Sequence, residues 1–117
     1  MARRDPAPFL PLTPAAFHVL LALADGPKHG YLILKEVEQR TGGEVRLSTG
    51  TLYGLIGRFL ADELIVELAP AAGDDERRRP YRLTPLGRDV AVAEAARLEK
   101  LVSAARFVRL LPATRQS

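Results

Sequence analysis

The chain has 117 residues, 47% hydrophobic and 26% charged, enough for one small folded domain and at most one further element. It has no cysteine, which excludes disulfides, thiolate metal sites and cysteine nucleophiles and fits a reducing cytosol. A net charge of +3 is compatible with nucleic acid without pointing to it; the placement of the cations carries more information than their sum.

Residues 1–12 read as an extended, flexible arm punctuated by Pro6, Pro8 and Pro11. Arg3 and Arg4 resemble the start of a secretion signal. The prolines break up the segment beyond these arginines, however, and no long apolar run exists for insertion, so a cytoplasmic protein without membrane contact is expected. Thr13 followed by Pro14 is a capping residue before a proline suited to the first helical position. The helix it opens carries Phe17, Val19, Leu20, Leu21 and Leu23 and stops at Asp25-Gly26-Pro27. It is apolar nearly all round and has to be covered on several sides. His18, its one strongly polar side chain, reads as a structural or rim histidine.

A second helix starts near His29-Gly30 and ends at Thr41-Gly42-Gly43, where either glycine can take the left-handed terminal position. Residues 44–47 suit a short strand or a turn. Ser48 then caps a third helix whose 100° periodicity puts Leu52, Leu55, Ile56, Phe59 and Leu60 on one stripe. The opposite stripe carries Gly50, Gly54, Gly57 and Ala61, flanked by Thr51 and Arg58 on one side and Tyr53 on the other. A face with hydroxyls, an arginine and almost no bulk suits close approach to another backbone, with duplex DNA the leading candidate and a packed helix the alternative.

Leu64, Val66 and Leu68 alternate with Ile65 and Glu67, a strand with one buried face. A loop leads to a returning strand over residues 80–84, with Pro80 placed where the ladder needs no donor. Thr84-Pro85 repeats the cap-then-proline signal and opens a fourth helix running to about Leu111, stopped by Pro112. The expected fold is mainly α with a small β-hairpin: a winged helix-turn-helix domain over 13–84, a C-terminal dimerisation helix over 85–111 and a tail over 112–117.

The order and the local motifs resemble the PadR family of bacterial transcriptional regulators. The resemblance rests on His29-Gly30-Tyr31, Gly50-Thr51-Leu52-Tyr53, Leu64-Ile65, and Arg79, Tyr81 and Leu83-Thr84 with Gly87, and covers roughly residues 12–110. This chain departs from the family pattern with Gly54 in place of proline, Glu63 in place of glycine, and Pro80-Tyr81 in place of paired aromatics. The resemblance implies a homodimer paired through its C-terminal helix, a partly palindromic operator in double-stranded DNA, repression, and release by a small molecule.

On this reading the DNA-facing residues are Lys28, Tyr31, Ser48, Thr49, Thr51, Tyr53, Gly54, Gly57, Arg58, Arg77, Arg78 and Arg79. His29 is a further phosphate contact, and Tyr31 is alternatively a core anchor. The N-terminus of the third helix offers free N–H groups and a positive dipole end to a phosphate, though Ser48 serves equally as a plain cap. The three arginines at the hairpin tip come after Asp74, Asp75 and Glu76, so the run either lies along the DNA backbone or neutralises itself. In the fourth helix Ala91, Ala95, Leu98, Val102, Ala105 and Val108 are spaced in steps of three and four, a coiled-coil-like seam. With Phe17, Leu20 and Leu21 these residues form the expected dimer interface. The helix has no aromatic before Phe107, which argues against a flat-ligand stacking pocket at the dimer centre.

An enzyme would need a nucleophile–base pair, a metal cluster or a phosphate loop. Two separated histidines supply none of these, and the acids fall on wet helix faces or in the wing. No catalytic residue, metal site or cofactor is expected. The competing reading is a winged-helix module that binds protein instead of DNA.

Overall fold

The computed structural model describes residues 4–113; Arg3 and most of the expected 112–117 tail lie outside them. Four helices and one hairpin come in order: α1 Pro14–Ala22, α2 Gly30–Arg40, α3 Thr49–Ala61, β1 Ile65–Glu67, β2 Tyr81–Leu83 and α4 Pro85–Phe107. Three helices open on a hydroxyl that accepts the backbone N–H three residues on. Thr13 accepts from Ala16 (3.1 Å), Ser48 from Thr51 (3.0 Å) and Thr84 from Gly87 (3.0 Å).

Three helices close the same way as one another. After α2 the N–H of Gly42 donates to Gln39 O and that of Gly43 to Glu38 O. After α3 the N–H of Glu63 donates to Leu60 O and that of Leu64 to Phe59 O. After α4 the N–H of Arg109 donates to Arg106 O and that of Leu110 to Ala105 O. These are Schellman ends, which place one residue in the left-handed region. Gly42 takes it freely at φ 61°, but Glu63 (φ 61°) and Arg109 (φ 65°) take it with a side chain attached. The turn that glycine usually makes in the family is therefore present here with glutamate. Arg109 also ends α4 at Phe107, short of Leu111, and leaves Val108 as the C-cap.

The core gathers Val19, Leu20 and Leu23 of α1 and its end, Ile33 and Val37 of α2, Leu52, Leu55, Ile56 and Phe59 of α3, Ile65, Tyr81 and Leu83 of the hairpin, and Leu86 and Val90 of α4. The strands pair antiparallel with Ile65 opposite Leu83 and Glu67 opposite Tyr81. The buried strand face is thus Ile65 with Tyr81 and Leu83, not the Leu64, Val66, Leu68 set. Leu64 is buried before the strand begins, as the residue that closes the α3 cap over Phe59. Pro80 accepts from Leu68 N (2.8 Å) and needs to donate nothing. Lys28 adds a single bridge to the other edge of β2: its N–H donates to Tyr81 O (3.1 Å) and its carbonyl accepts from Tyr81 N (2.9 Å).

Two joints are tight. A Cβ at Gly87 would lie 1.9 Å from Leu64 O, so the first turn of α4 rests directly on the chain entering β1. Thr84 reinforces the joint, its hydroxyl donating to Glu63 O (2.6 Å) and its N–H to Leu64 O (3.0 Å). Residues 44–47 form no strand; Val45 N donates to the Thr41 hydroxyl (3.0 Å), and Val45 and Leu47 pack on the core.

The N-terminal segment is not a free arm over the residues described. A 3₁₀ turn, Ala7–Phe9, lies against α4, and Phe9, Leu10 and Leu12 pack on the core. Arg4 donates to Asp62 O at the end of α3. The prolines shape the segment, and the apolar side chains between them hold it down.

Candidate nucleic-acid interface

The two stripes of α3 separate as its periodicity requires. Leu52, Leu55, Ile56 and Phe59 are buried, while Gly50, Thr51, Gly54, Gly57, Arg58 and Ala61 are exposed. A Cβ built on Gly50, Gly54 or Gly57 meets nothing within 4 Å. The glycines therefore do not exist to let another helix of the same chain come close. Each costs the helix roughly 0.5–1 kcal/mol against alanine in a solvated interior position. That cost is not recovered within one chain.

At the start of α3 the Ser48 hydroxyl accepts from Thr51 N and donates to Thr51 Oγ1 (2.9 Å). Ser48 and Thr51 are thus already engaged in the cap, while Thr49 stays exposed beside them. Tyr53 is 46% exposed and lies across the first turn of α2, where a Cβ on Gly30 would come 2.5 Å from its hydroxyl oxygen. At the start of β2, burial first, then the charges of Glu67 and Tyr53, push the Tyr81 phenol above its ordinary range. Tyr53 thus joins the α3 face to the opening of α2.

Tyr31 is 60% exposed, which rules out the core-anchor alternative. Lys35, one turn on, sits 5.2 Å from its ring centre. Sequence reasoning missed Lys35 as a neighbour of this face, although its spacing of four from Tyr31 was the signal that could have found it. His29 is the N-cap of α2 with no capping hydrogen bond from its side chain.

Lys28 departs from expectation. Its ammonium donates to Ala22 O (2.6 Å) and to Asp25, and lies 3.3 Å from Glu36. Partial burial opposes its charge, but the bonds to Asp25 and Glu36 prevail and hold its pKa above the ordinary lysine value. In the free chain the Lys28 ammonium is thus turned to partners within the fold.

In the wing, Asp75 caps a 3₁₀ turn, Glu76–Arg78, by accepting from Arg77 N (2.9 Å). The Arg77 guanidinium stands 3.9 Å from the Asp75 carboxylate and Arg79 stands 4.0 Å from Glu67. Exposed pairs at that distance contribute little and yield readily to a stronger anion. Arg78 is exposed beside them.

The expected pairing surface divides. Leu20 is fully buried in its own core and is removed from the interface, whereas Phe17 and Leu21 keep part of their surface. On α4, Leu86, Gly87, Val90 and Glu94 face the domain, with Ala91 packed beside them. Ala95 and Val102 are exposed, Leu98 and Ala105 half-buried, and Leu101, Phe107, Val108 and Leu110 exposed.

Glu94 corrects the expectation that all acids lie on wet faces. It is 2% exposed, and its carboxylate accepts from Arg97 Nε (2.6 Å) and Nη2 (2.9 Å). The Arg97 bonds, opposed by burial and helped by the Leu12 backbone, hold it below its ordinary range. The spacing of three between Glu94 and Arg97 was visible, but nothing local distinguishes this pair from a solvated one.

Among the described residues no helix is long and apolar enough to cross a membrane, and no cluster of histidine and acidic side chains could hold a metal ion. Known proteins share this arrangement. The chain is 36% identical over 84 residues to the transcriptional regulator Rv3488 of Mycobacterium tuberculosis, covering 72% of this chain and 75% of that one. It is 43% identical over 83 residues, 71% of its length, to an uncharacterized 37.1 kDa protein in transposon TN4556 of Streptomyces fradiae, of which it spans only 22%. A PadR family transcription regulator from Clostridium difficile R20291 shares the fold with a TM-score of 0.69 at 23% identity, over 80% of this chain and 95% of that one. BpsR of Bordetella bronchiseptica, whose DNA binding is regulated by 6-hydroxynicotinic acid, matches with a TM-score of 0.65 at 28% identity, over 86% of this chain and 69% of that one. The transcriptional regulator PadR-like family matches residues 19–93, which take in the helical frame, the open face of α3 and the wing; by that match the chain belongs to the PadR-like family of transcriptional regulators.

Proposed function

We propose that this chain is a DNA-binding repressor without catalytic activity that acts in the cytoplasm as a homodimer on a partly palindromic operator. The observation that carries this reading is the open glycine stripe of α3, flanked by the exposed Thr51, Tyr53 and Arg58. A helix face without bulk lets its backbone approach a duplex closely. It also leaves few long side chains to read base edges, so phosphate contacts and DNA shape supply much of the recognition.

Pairing through α4 supplies the two-fold axis that a palindrome requires. Its support is the set of apolar side chains, Leu101, Val102, Phe107 and Val108, that a single chain leaves exposed. Release by a small molecule completes the reading, by analogy with BpsR. A cavity of about 340 Å³ between α1 and α4, lined by Phe17, His18, Glu94, Arg97 and Leu98, has room for a small ligand.

The test is retardation of the DNA upstream of the protein's own gene, titrated with salt. Specific, salt-sensitive retardation supports the regulator. Co-purification with one protein partner, without retardation of any duplex, would establish the protein-binding module instead.

A further inference from the structure

Each strand of the wing has three residues, and a two-stranded ribbon of that length has little stability alone. Its direction relative to α3 therefore depends on what holds its base. One anchor is the buried Ile65, Tyr81 and Leu83 face. The other is Lys28, which joins β2 through two backbone hydrogen bonds with Tyr81.

The Lys28 side chain makes that anchor rigid. Its ammonium takes the carbonyl of Ala22, the last residue of α1, where free carbonyls and a negative dipole end favour a cation. It pairs with Asp25 in the intervening turn and with Glu36 of α2, which also accepts from Arg40 (3.1 Å). The Lys28 side chain is 18% exposed and that of Glu36 26%, so this pair is shielded more than a surface pair, while Asp25 stands 71% exposed. The end of α1, the middle of α2 and the returning wing strand therefore meet at one residue, beside the Tyr53 contact with Gly30.

We propose that Lys28 is a positioning residue for DNA binding, a strut that sets the wing against α3, and not a phosphate ligand. The inference rests on the DNA-binding reading above. Without the ammonium, the 25–28 turn loses its side-chain ties to Ala22 of α1 and Glu36 of α2, and the bridge to Tyr81 is left freer to move with the wing.

The test combines Lys28→Met, which keeps most of the apolar stem, with replacement of Arg77, Arg78 and Arg79 by alanine in a double-mutant cycle on operator DNA. A strut acts through the wing, so Lys28→Met should weaken binding about tenfold in the unmutated protein and far less once the arginines are gone. A phosphate ligand would cost the same in both backgrounds. It would also lower the slope of log K against log salt by roughly 0.9 per lost contact, doubled in a dimer, and that result overturns the proposal.

Amide exchange of the free protein gives a second reading that needs no DNA. Lys28→Met should speed exchange at Tyr81 and Leu68 while the α3 amides stay protected; unchanged exchange at Tyr81 overturns the strut. If the methionine variant does not fold, Glu36→Gln removes one tie and is expected to act in the same direction with smaller size. If the unmutated protein retards no DNA, the regulator reading fails by itself, and exchange still decides whether Lys28 holds the wing.

Discussion

Glu63 illustrates how a single residue can work against the conformation it occupies. It holds the left-handed position of a Schellman turn, where its Cβ crowds the following carbonyl, and it persists because Leu64 beyond it is buried and Thr84 grips its carbonyl. Glu63→Gly should relieve that crowding and lose some of the gain to the freer unfolded chain, for a net stabilisation of about 0.5–1 kcal/mol. A higher melting temperature with unchanged DNA affinity is the expected result. Glu94 presents the opposite case, a charge drawn into the fold. Arg97 holds its carboxyl below the ordinary range, so its contribution to stability is fully present above the pKa of an unfolded glutamate and is lost as pH falls through the lower folded value. The melting temperature of the unmutated protein should accordingly fall more steeply between neutral and acid pH than that of Glu94→Gln. Parallel curves would mean that the pair adds nothing.

Among the elements, α3 carries the sharpest contrast between stability and function. Since an added methyl on Gly54 or Gly57 meets no protein atom, Gly54→Ala and Gly57→Ala should each stabilise the helix by roughly 0.5–1 kcal/mol. If that face meets the duplex, the same methyl obstructs docking. The expected outcome is therefore a split, higher melting temperature with weaker operator binding, measured on the same preparations. Higher stability with unchanged affinity would put the stripe in solvent and move the reading surface to Thr51, Tyr53 and Arg58. Gly87 is the control for a glycine that does meet protein: alanine there collides with Leu64 O and should destabilise the fold.

At the scale of the molecule, the radius of gyration of 16.1 Å exceeds the roughly 13 Å of a compact chain this long. The excess fits a 23-residue α4 whose buried residues end at Glu94. The apolar Leu101, Val102 and Phe107 left exposed on that half of the helix are the reason to expect a second copy. Leu98→Asp would bury a carboxylate in the proposed seam and should yield monomers or aggregates, as judged by mass in solution. A folded monomer in the unmutated protein at working concentration would remove the dimer, and with it the argument for a palindromic operator.

The range of the forces involved explains how much of this was legible in the sequence. Hydroxyl caps at Thr13, Ser48 and Thr84, and the division of α3 into an apolar and a glycine stripe, depend on neighbours within four residues, so residue order alone determined them. The tertiary structure was needed for choices made between distant segments. In sequence Lys28 reads as a phosphate contact and Glu94 as an acid on a wet face, because a charge is assigned to an outside partner or to water until a fold supplies its own; Ala22, Asp25 and Glu36 claim the first, and Arg97 with Leu12 the second. Leu20 reads as one more apolar residue on a helix hydrophobic all round, and only packing against the rest of the core decides that it is covered within its own chain. The buried face of β1 likewise turned on Glu63, since a left-handed residue just before a strand redirects the chain, and a period of two cannot reveal where its count begins.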